Sequence, residues 1–252
     1  MREYWRTVHG EVADDLAAVN YPALPAAFNR LVDRLFARPI IASLGPIAPG
    51  RALEIGCGRG RWLRRLARLG WRAVGIDVAE AARPGAVAAG EAIPFRGGSF
   101  DLVLAVTVLQ HLERKAAVLA EAAHLVKPGG RLLLVEILER PGISWQAHVM
   151  PWSAAQWREA LAATGFVIEE ERPIEHLPLL RLIERWRFRR RRGAAANVAA
   201  PSRSAKGSRG KNLLWRMITF ASAIIEPAAR RVAPESASHR LFLARRVQAD
   251  RE

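Results

Sequence analysis

From residue 51 onward, short apolar runs alternate with stretches of helical periodicity. Arg51–Ile55 (RALEI) reads as a strand that runs into the cluster Gly56, Gly58 and Gly60. Trp62, Leu63, Leu66 and Leu69 then recur at the spacing of one helix face, and Gly70 ends that helix. Ala73–Ile76 forms a second strand ending at Asp77, with a short third over Ala86–Ala88. Phe100–Val108 (FDLVLAVTV) is almost continuously apolar, the pattern of a central strand covered on both faces. A helix through about Val126 follows, stopped by Lys127-Pro128-Gly129-Gly130, where a tight turn can form. Arg131–Leu138 (RLLLVEIL) is another buried strand. Ser153 is placed to cap a helix over Ala154–Ala163, closed by Gly165, and Phe166–Glu171 alternates as a strand. The last strand, His239–Arg245, comes only after a long basic interval. Strands and helices in this alternation predict an α/β fold with a mostly parallel sheet.

The flanks differ from this core. Residues 1–50 read as helices, with apolar faces over Val8–Val19 and Ala26–Phe36. Leu179, Leu182, Ile183 and Trp186 mark a helix face that leads into Arg185–Arg192 (RWRFRRRR), and Gly193–Gly210 has the Ala/Ser/Gly content of a flexible linker. Asn212–Ile225 (NLLWRMITFASAII) is a second helix-like stretch, closed by Glu226-Pro227. The expected organisation is a helical extension or lid over 1–50, a core over 51–175, a basic helical insert over 176–237, and the last core strand with a tail over 238–252.

Composition narrows the classes. With 252 residues, half of them apolar and a quarter charged, the chain can bury a core, which excludes a wholly disordered protein. One cysteine, Cys57, leaves no intrachain disulfide. No apolar run reaches the roughly 18 residues of a bilayer-spanning helix, and MREYWRTVHGEVADD lacks the apolar core of a secretory signal. A cytoplasmic protein is therefore expected. The net charge of +15 is unevenly placed: residues 1–175 hold 21 basic against 19 acidic side chains, and residues 176–252 hold 18 against 5. Such asymmetry suits an acidic partner, although only four of the 39 basic residues are lysine, so an Arg-rich composition inflates the excess.

Leu53-Glu54-Ile55-Gly56-Cys57-Gly58-Arg59-Gly60 places glycines at a strand-to-helix turn, where the backbone can bend tightly and admit a ligand to the helix N-terminus. The spacing departs from the dinucleotide fingerprint, since Arg61 sits where its third glycine belongs. Asp77, at the end of the next strand, is placed to accept hydrogen bonds from both ribose hydroxyls. Loop and acid together indicate an adenosine-bearing cofactor, and the spacing weighs against NAD.

Taken in order, LEIGCGRG, GID ending at Asp77, EAIPFRGGSFDLVLAVTVLQHL and LVKPGGRLLLVE resemble the class I S-adenosylmethionine-dependent methyltransferases, in the broad group that includes the ubiquinone/menaquinone-biosynthesis enzymes. The likeness covers roughly 48–172 plus the final strand. It implies a Rossmann-like seven-stranded sheet with helices on both faces and an antiparallel last strand. It also implies S-adenosyl-L-methionine as cofactor and S-adenosyl-L-homocysteine as product; no metal is expected, because the six histidines and the carboxylates never fall at ligand spacing. By this resemblance Glu54 holds the methionine amino group, and Gly56, Cys57, Gly58 and Gly60 line the methionine and ribose. Asp77 takes the ribose hydroxyls, Val78 packs on the adenine, and Thr107 and Gln110 complete the cofactor side. Where relatives often place an acid for the adenine amino group this chain has Ala89, so Glu91 and the backbone over Gly90–Ala92 are expected to substitute.

Methyl transfer from a sulfonium is an in-line displacement, so the protein must align the acceptor and accept its proton. His111 follows the fourth strand directly, at the sheet edge where ligands of open α/β sheets bind, and is the first candidate base. Packing near the cofactor without proton transfer is its alternative role. Gly142–Trp152 brings Trp145, His148, Met150 and Trp152 to the same edge, either as an apolar acceptor pocket with His148 as a second catalytic candidate or as an anchored loop. Tyr4, Trp5, His9 and Tyr21 are candidates for a lid. The expected acceptor is small or lipid-like, methylated at oxygen.

Three readings remain for Leu179–Arg231. Its basic helices lie on an anionic membrane with Trp186, Phe188, Trp215, Met217 and Phe220 in the interface; or RWRFRRRR grips RNA phosphates, making an RNA methyltransferase; or the helices merely cap the core. The second apolar segment weighs against a pure nucleic-acid arm. A scaffold that binds cofactor without catalysis is a further alternative.

Overall fold

The computed structural model describes residues 2–11, 16, 24–82, 85–140, 145, 148–179, 209–232 and 237–247. Seven strands form one sheet: β1 (Arg51–Ile55), β2 (Arg72–Asp77), β3 (Ala86–Val87), β4 (Phe100–Val106), β5 (Val126–Ile137), β6 (Phe166–Ile174) and β7 (His239–Arg246). Their order is β3-β2-β1-β4-β5-β7-β6, with β7 antiparallel to both neighbours and every other pairing parallel. The Rossmann-like sheet with an antiparallel last strand is thus as expected. Strand order reverses between β1 and β4, which opens a crevice at their C-terminal ends.

Alternation along β4 divides the core. Leu102, Leu104 and Val106 face one layer with α2 (Ala26–Leu44), α3 (Arg61–Arg68) and the Trp215 and Ile218 side chains of α6 (Arg209–Val232). Val103 and Ala105 face the other, with α4 (Lys115–Leu125) and α5 (Ala154–Ala163). α2 therefore belongs to the core, which extends N-terminal to the expected boundary at residue 51. It is also tied to α3 by Asp33, which pairs with Arg61 at 2.8 Å and with Arg65.

Several boundaries differ from the sequence expectation. α1 spans Arg2–Glu11, earlier than the Val8–Val19 face, while 12–15 and 17–23, with Tyr21, lie outside the described residues. α2 continues through Pro39 to Leu44, because Ile40 and Leu44 extend the buried stripe. Lys127–Gly130 is not a turn ahead of the strand but part of β5: Phe100 pairs with Val126 and Leu102 with Arg131, so the four residues bulge opposite Asp101. Gly129 supplies the left-handed φ of 76° there, and Lys127 Nζ reaches Asp101 at 2.6 Å. α6 begins at Arg209, inside the expected linker, and passes through Pro227 to Val232. Pro227 forfeits one backbone hydrogen bond, but Ala228, Ala229, Arg230 and Arg231 are strong helix formers that carry the helix on. Trp215 packs on Phe28 at 5.9 Å, which removes it from any membrane interface. Trp186, Phe188 and the Arg185–Arg192 run lie outside the described residues.

Ser153 caps α5 as expected: its hydroxyl accepts the Gln156 N–H while the Gln156 side chain accepts the Ser153 N–H at 2.9 Å. Ser153→Ala is expected to cost about 1 kcal/mol in chemical denaturation.

Candidate functional site

A cavity of about 310 Å³ opens at the crevice between β1 and β4. Its floor is the loop after β1. Gly56, Gly58 and Gly60 all hold left-handed φ, at 67°, 49° and 75°. A Cβ on Gly56 would lie 2.5 Å from the Val108 side chain, so only glycine lets these two segments approach. The loop is pinned from β2. Asp77 accepts the Gly58 N–H on Oδ2 at 2.9 Å and the Ala79 N–H on Oδ1 at 2.8 Å. Each oxygen keeps a second lone pair, and Asp77 lines the cavity.

Glu54 also lines the cavity. It is 3% exposed, and its Oε2 has no hydrogen-bond partner. Burial pushes its carboxyl well above the ordinary range, against the opposing pull of Arg61. Cys57 lines the floor with its thiol pushed up to about 12, chiefly by burial, which leaves it unreactive. Val78, Ala88, Ala89, Gly90 and Glu91 form the far end. A β-branched residue in the left-handed region, Thr107 at φ 59°, lines the near side.

Four of the candidate catalytic and cofactor-binding residues do not line the cavity. Gly60 turns the chain into α3. Ala92 is exposed, its N–H bound to Ala89 O in a tight turn. Gln110 is buried beneath His111, and His148 stands behind it.

Gln110, His111 and His148 form one network. Gln110 Oε1 accepts the Ile137 N–H at 3.1 Å, which turns its amide nitrogen to His111 Nε2 at 3.2 Å. His111 Nδ1 lies 2.8 Å from the His148 carbonyl and so carries the ring proton. Burial pushes the His111 pKa down to about 4. The two imidazoles stack at 5.4 Å, and Tyr4 stacks on His148 at 4.5 Å. Burial also lowers His148, whose Nδ1 has no hydrogen-bond partner.

One contributor escaped the sequence reading. Glu136 is fully buried and takes the N–H groups of Val108 (3.1 Å), Leu109 (2.9 Å) and Gln110 (2.8 Å), fixing the short 3₁₀ turn that presents His111. Burial pushes its pKa up to about 7, while those three N–H groups and Lys115 pull it back. A lone carboxylate within RLLLVEIL was the available signal, since a buried charge needs partners.

Helix α1 covers the mouth. Trp5 and His9 line the cavity, Trp5 meets His111 edge-on at 4.9 Å, and Arg59 donates to the His9 carbonyl. Trp152 turns inward, 4.9 Å from the core residue Trp157, so this part of the Gly142–Trp152 segment acts as an anchor. Residues 141–144, 146 and 147 lie outside the described residues.

Comparison with known proteins bears on the fold and the family. A ubiquinone biosynthesis O-methyltransferase of Xanthomonas axonopodis pv. citri is 29% identical over 143 residues, 48% of this chain and 59% of that protein. Its counterpart in Hahella chejuensis is 30% identical over 44% of this chain and 57% of that protein. The chain thus matches little more than half the length of these curated relatives. Among solved structures, the [4+2]-cyclase SpnF superposes with a TM-score of 0.55 at 19% identity, covering 87% of this chain and 81% of that one. Haemonchus contortus phosphoethanolamine N-methyltransferase 2, solved with S-adenosyl-L-methionine, gives 0.53 at 18% identity, covering 88% and 56%. These likenesses establish the fold, and the cyclase shows that the fold alone does not fix a reaction. The family described as "Methyltransferase domain" matches residues 23–194, from α2 past the end of β6, and the chain belongs to that family.

Proposed function

We propose that the protein transfers a methyl group from S-adenosyl-L-methionine to the oxygen of a small or lipid-like acceptor. The observation that carries this reading is Glu54 Oε2, a buried carboxylate oxygen without a partner, beside a glycine loop closed onto Asp77. A cationic amino group fits that oxygen and ribose hydroxyls fit Asp77. Val78 and the Ala88–Glu91 wall suit an adenine, with Glu91 the nearest acid to Ala89, where relatives often place one. The cofactor supplies an electrophilic methyl on a sulfonium. No metal has a part in the proposal.

The protein's own work is on the acceptor side. With a pKa near 4, His111 is neutral at physiological pH, and Nε2 holds its one lone pair. We assign it the acceptor's proton, taken when the acceptor hydroxyl displaces the Gln110 amide. A base this weak suits an acidic hydroxyl, a phenol or catechol, rather than an alkyl alcohol. Similarity to relatives named ubiquinone biosynthesis O-methyltransferase supports reading the methylated atom as oxygen. His148 is the supporting residue, its carbonyl fixing the His111 tautomer. Replacing His111 by Asn is expected to lower kcat about 100-fold with little change in KM. An unchanged kcat would reduce His111 to packing. We place the reaction in the cytoplasm, with peripheral contact at the inner face of a membrane.

Titration of the purified protein with S-adenosyl-L-methionine and S-adenosyl-L-homocysteine tests the cofactor assignment, and its pH dependence tests Glu54. Free Glu54 has a raised pKa, and an ammonium partner favours its charged form, so binding releases a proton. Affinity is therefore expected to rise with pH until the raised pKa is passed, then level off. Glu54→Gln removes the slope and weakens binding at every pH. A flat profile in the unaltered protein would remove Glu54 from the amino-group site.

A further inference from the structure

Helix α6 has two apolar faces, and among the described residues only one is covered. Trp215, Ile218, Ser222 and Glu226 hold it to the core: Trp215 and Ile218 pack with the α2 cluster, Ser222 is 0% exposed, and Glu226 faces His176 at 3.8 Å. On the opposite side Leu213, Met217, Phe220 and Ile224 follow one another at helical spacing, with exposures of 60, 62, 70 and 61%. Leu214, at 57%, widens the stripe. A helix on the outside of a globular domain presents polar residues on that side. An exposed apolar stripe of this kind marks a contact surface.

We infer that this outward face of α6 docks on an anionic lipid surface. Charge selects the occupant. The helix carries Arg209, Lys211, Arg216, Arg230 and Arg231 against one carboxylate, Glu226, which is buried and lies 4.0 Å from Arg230. Arg216, Arg230 and Arg231 are exposed. In the sequence, the run Arg189–Arg192 precedes the helix, and the chain as a whole carries +15. Two copies meeting through this face would bring like charges together, whereas acidic headgroups neutralise them at about 1 kcal/mol for each cation near the surface. An interfacial helix has this design: apolar side chains buried at the acyl boundary and arginines level with the headgroups. At about 1.5 Å per residue the helix would lie about 36 Å along the surface. The inference rests on the proposed membrane-adjacent setting, but it is tested without methyl transfer, so the two can fail separately.

Flotation of the full chain with vesicles of phosphatidylcholine, alone or mixed with phosphatidylglycerol, is the experiment. Binding is expected to the mixed vesicles, to weaken as salt rises, and to fall more than about tenfold in the double variant Met217→Glu, Phe220→Glu. The melting temperature and cofactor titration of that variant stay as in the parent, since both side chains point away from the core. Arg216→Gln with Arg231→Gln is expected to remove the preference for phosphatidylglycerol. Absence of vesicle binding, or equal binding by the Glu variant, overturns the inference. So does a dimer in light scattering that the Glu variant splits, or retention of RNA in place of vesicles.

Discussion

Asp77→Ala is expected to weaken S-adenosyl-L-methionine binding by roughly 100-fold or more, because hydrogen bonds to a charged group contribute about 1.5–3 kcal/mol each. The loss has two sources. Asp77 pins the glycine loop through the Gly58 and Ala79 N–H groups, and in the proposed reading its remaining lone pairs take the ribose hydroxyls. Asp77→Asn separates them. An amide keeps one acceptor oxygen but turns an NH₂ toward one of the two backbone donors, so it disturbs the loop while retaining part of the ribose site. Calorimetric titration of both variants, with circular dichroism to confirm the fold, measures the effect. Affinity within a few-fold of the parent for Asp77→Ala would remove the adenosine site from this cavity.

The largest expected loss of stability is for Trp157→Ala, about 3–5 kcal/mol in chemical denaturation. Trp157 is 0% exposed on α5, with Trp152 at 4.9 Å and Phe242 of β7 at 6.4 Å. Truncation opens a cavity where helix, last strand and the segment after β5 meet. Trp157→Phe keeps an aromatic ring at the site and is expected to lose less than half as much. Since Trp152 in turn lies 5.3 Å from Lys115 Nζ, the Ala variant is also expected to loosen the segment that holds His148. A loss below about 1 kcal/mol would mean that α5 does not depend on this contact.

The sheet and the glycine-loop wall of the cavity were legible because their physics is local. A strand, a glycine turn and an acid on the next strand are each a short-range pattern, and Gly56, Gly58 and Asp77 line the cavity where that pattern put them, while Glu54 came from the family resemblance. The wall around His111 was not legible, because it is assembled from distant segments. Glu136 caps a turn 26–28 residues away, and Trp5 reaches His111 across the whole first half of the sheet. His111 itself was found by position, but its low pKa and its two hydrogen bonds come from burial and from neighbours that no spacing rule contains. The helix end at Pro227 was misplaced for a different reason. A proline is a local stop signal, but the strong helix formers Ala228, Ala229, Arg230 and Arg231 carry α6 past it.

Strand β7 bears on how the protein is made. It is last in the sequence, yet it lies between β5 and β6 and pairs with both along most of its length. Until it emerges from the ribosome, those two strands present open, apolar-sided edges with unmatched backbone donors and acceptors. Closing the sheet then requires a search across the whole interval from Ile174 to His239. A nascent chain halted within that interval is a substrate for chaperones, not a smaller enzyme.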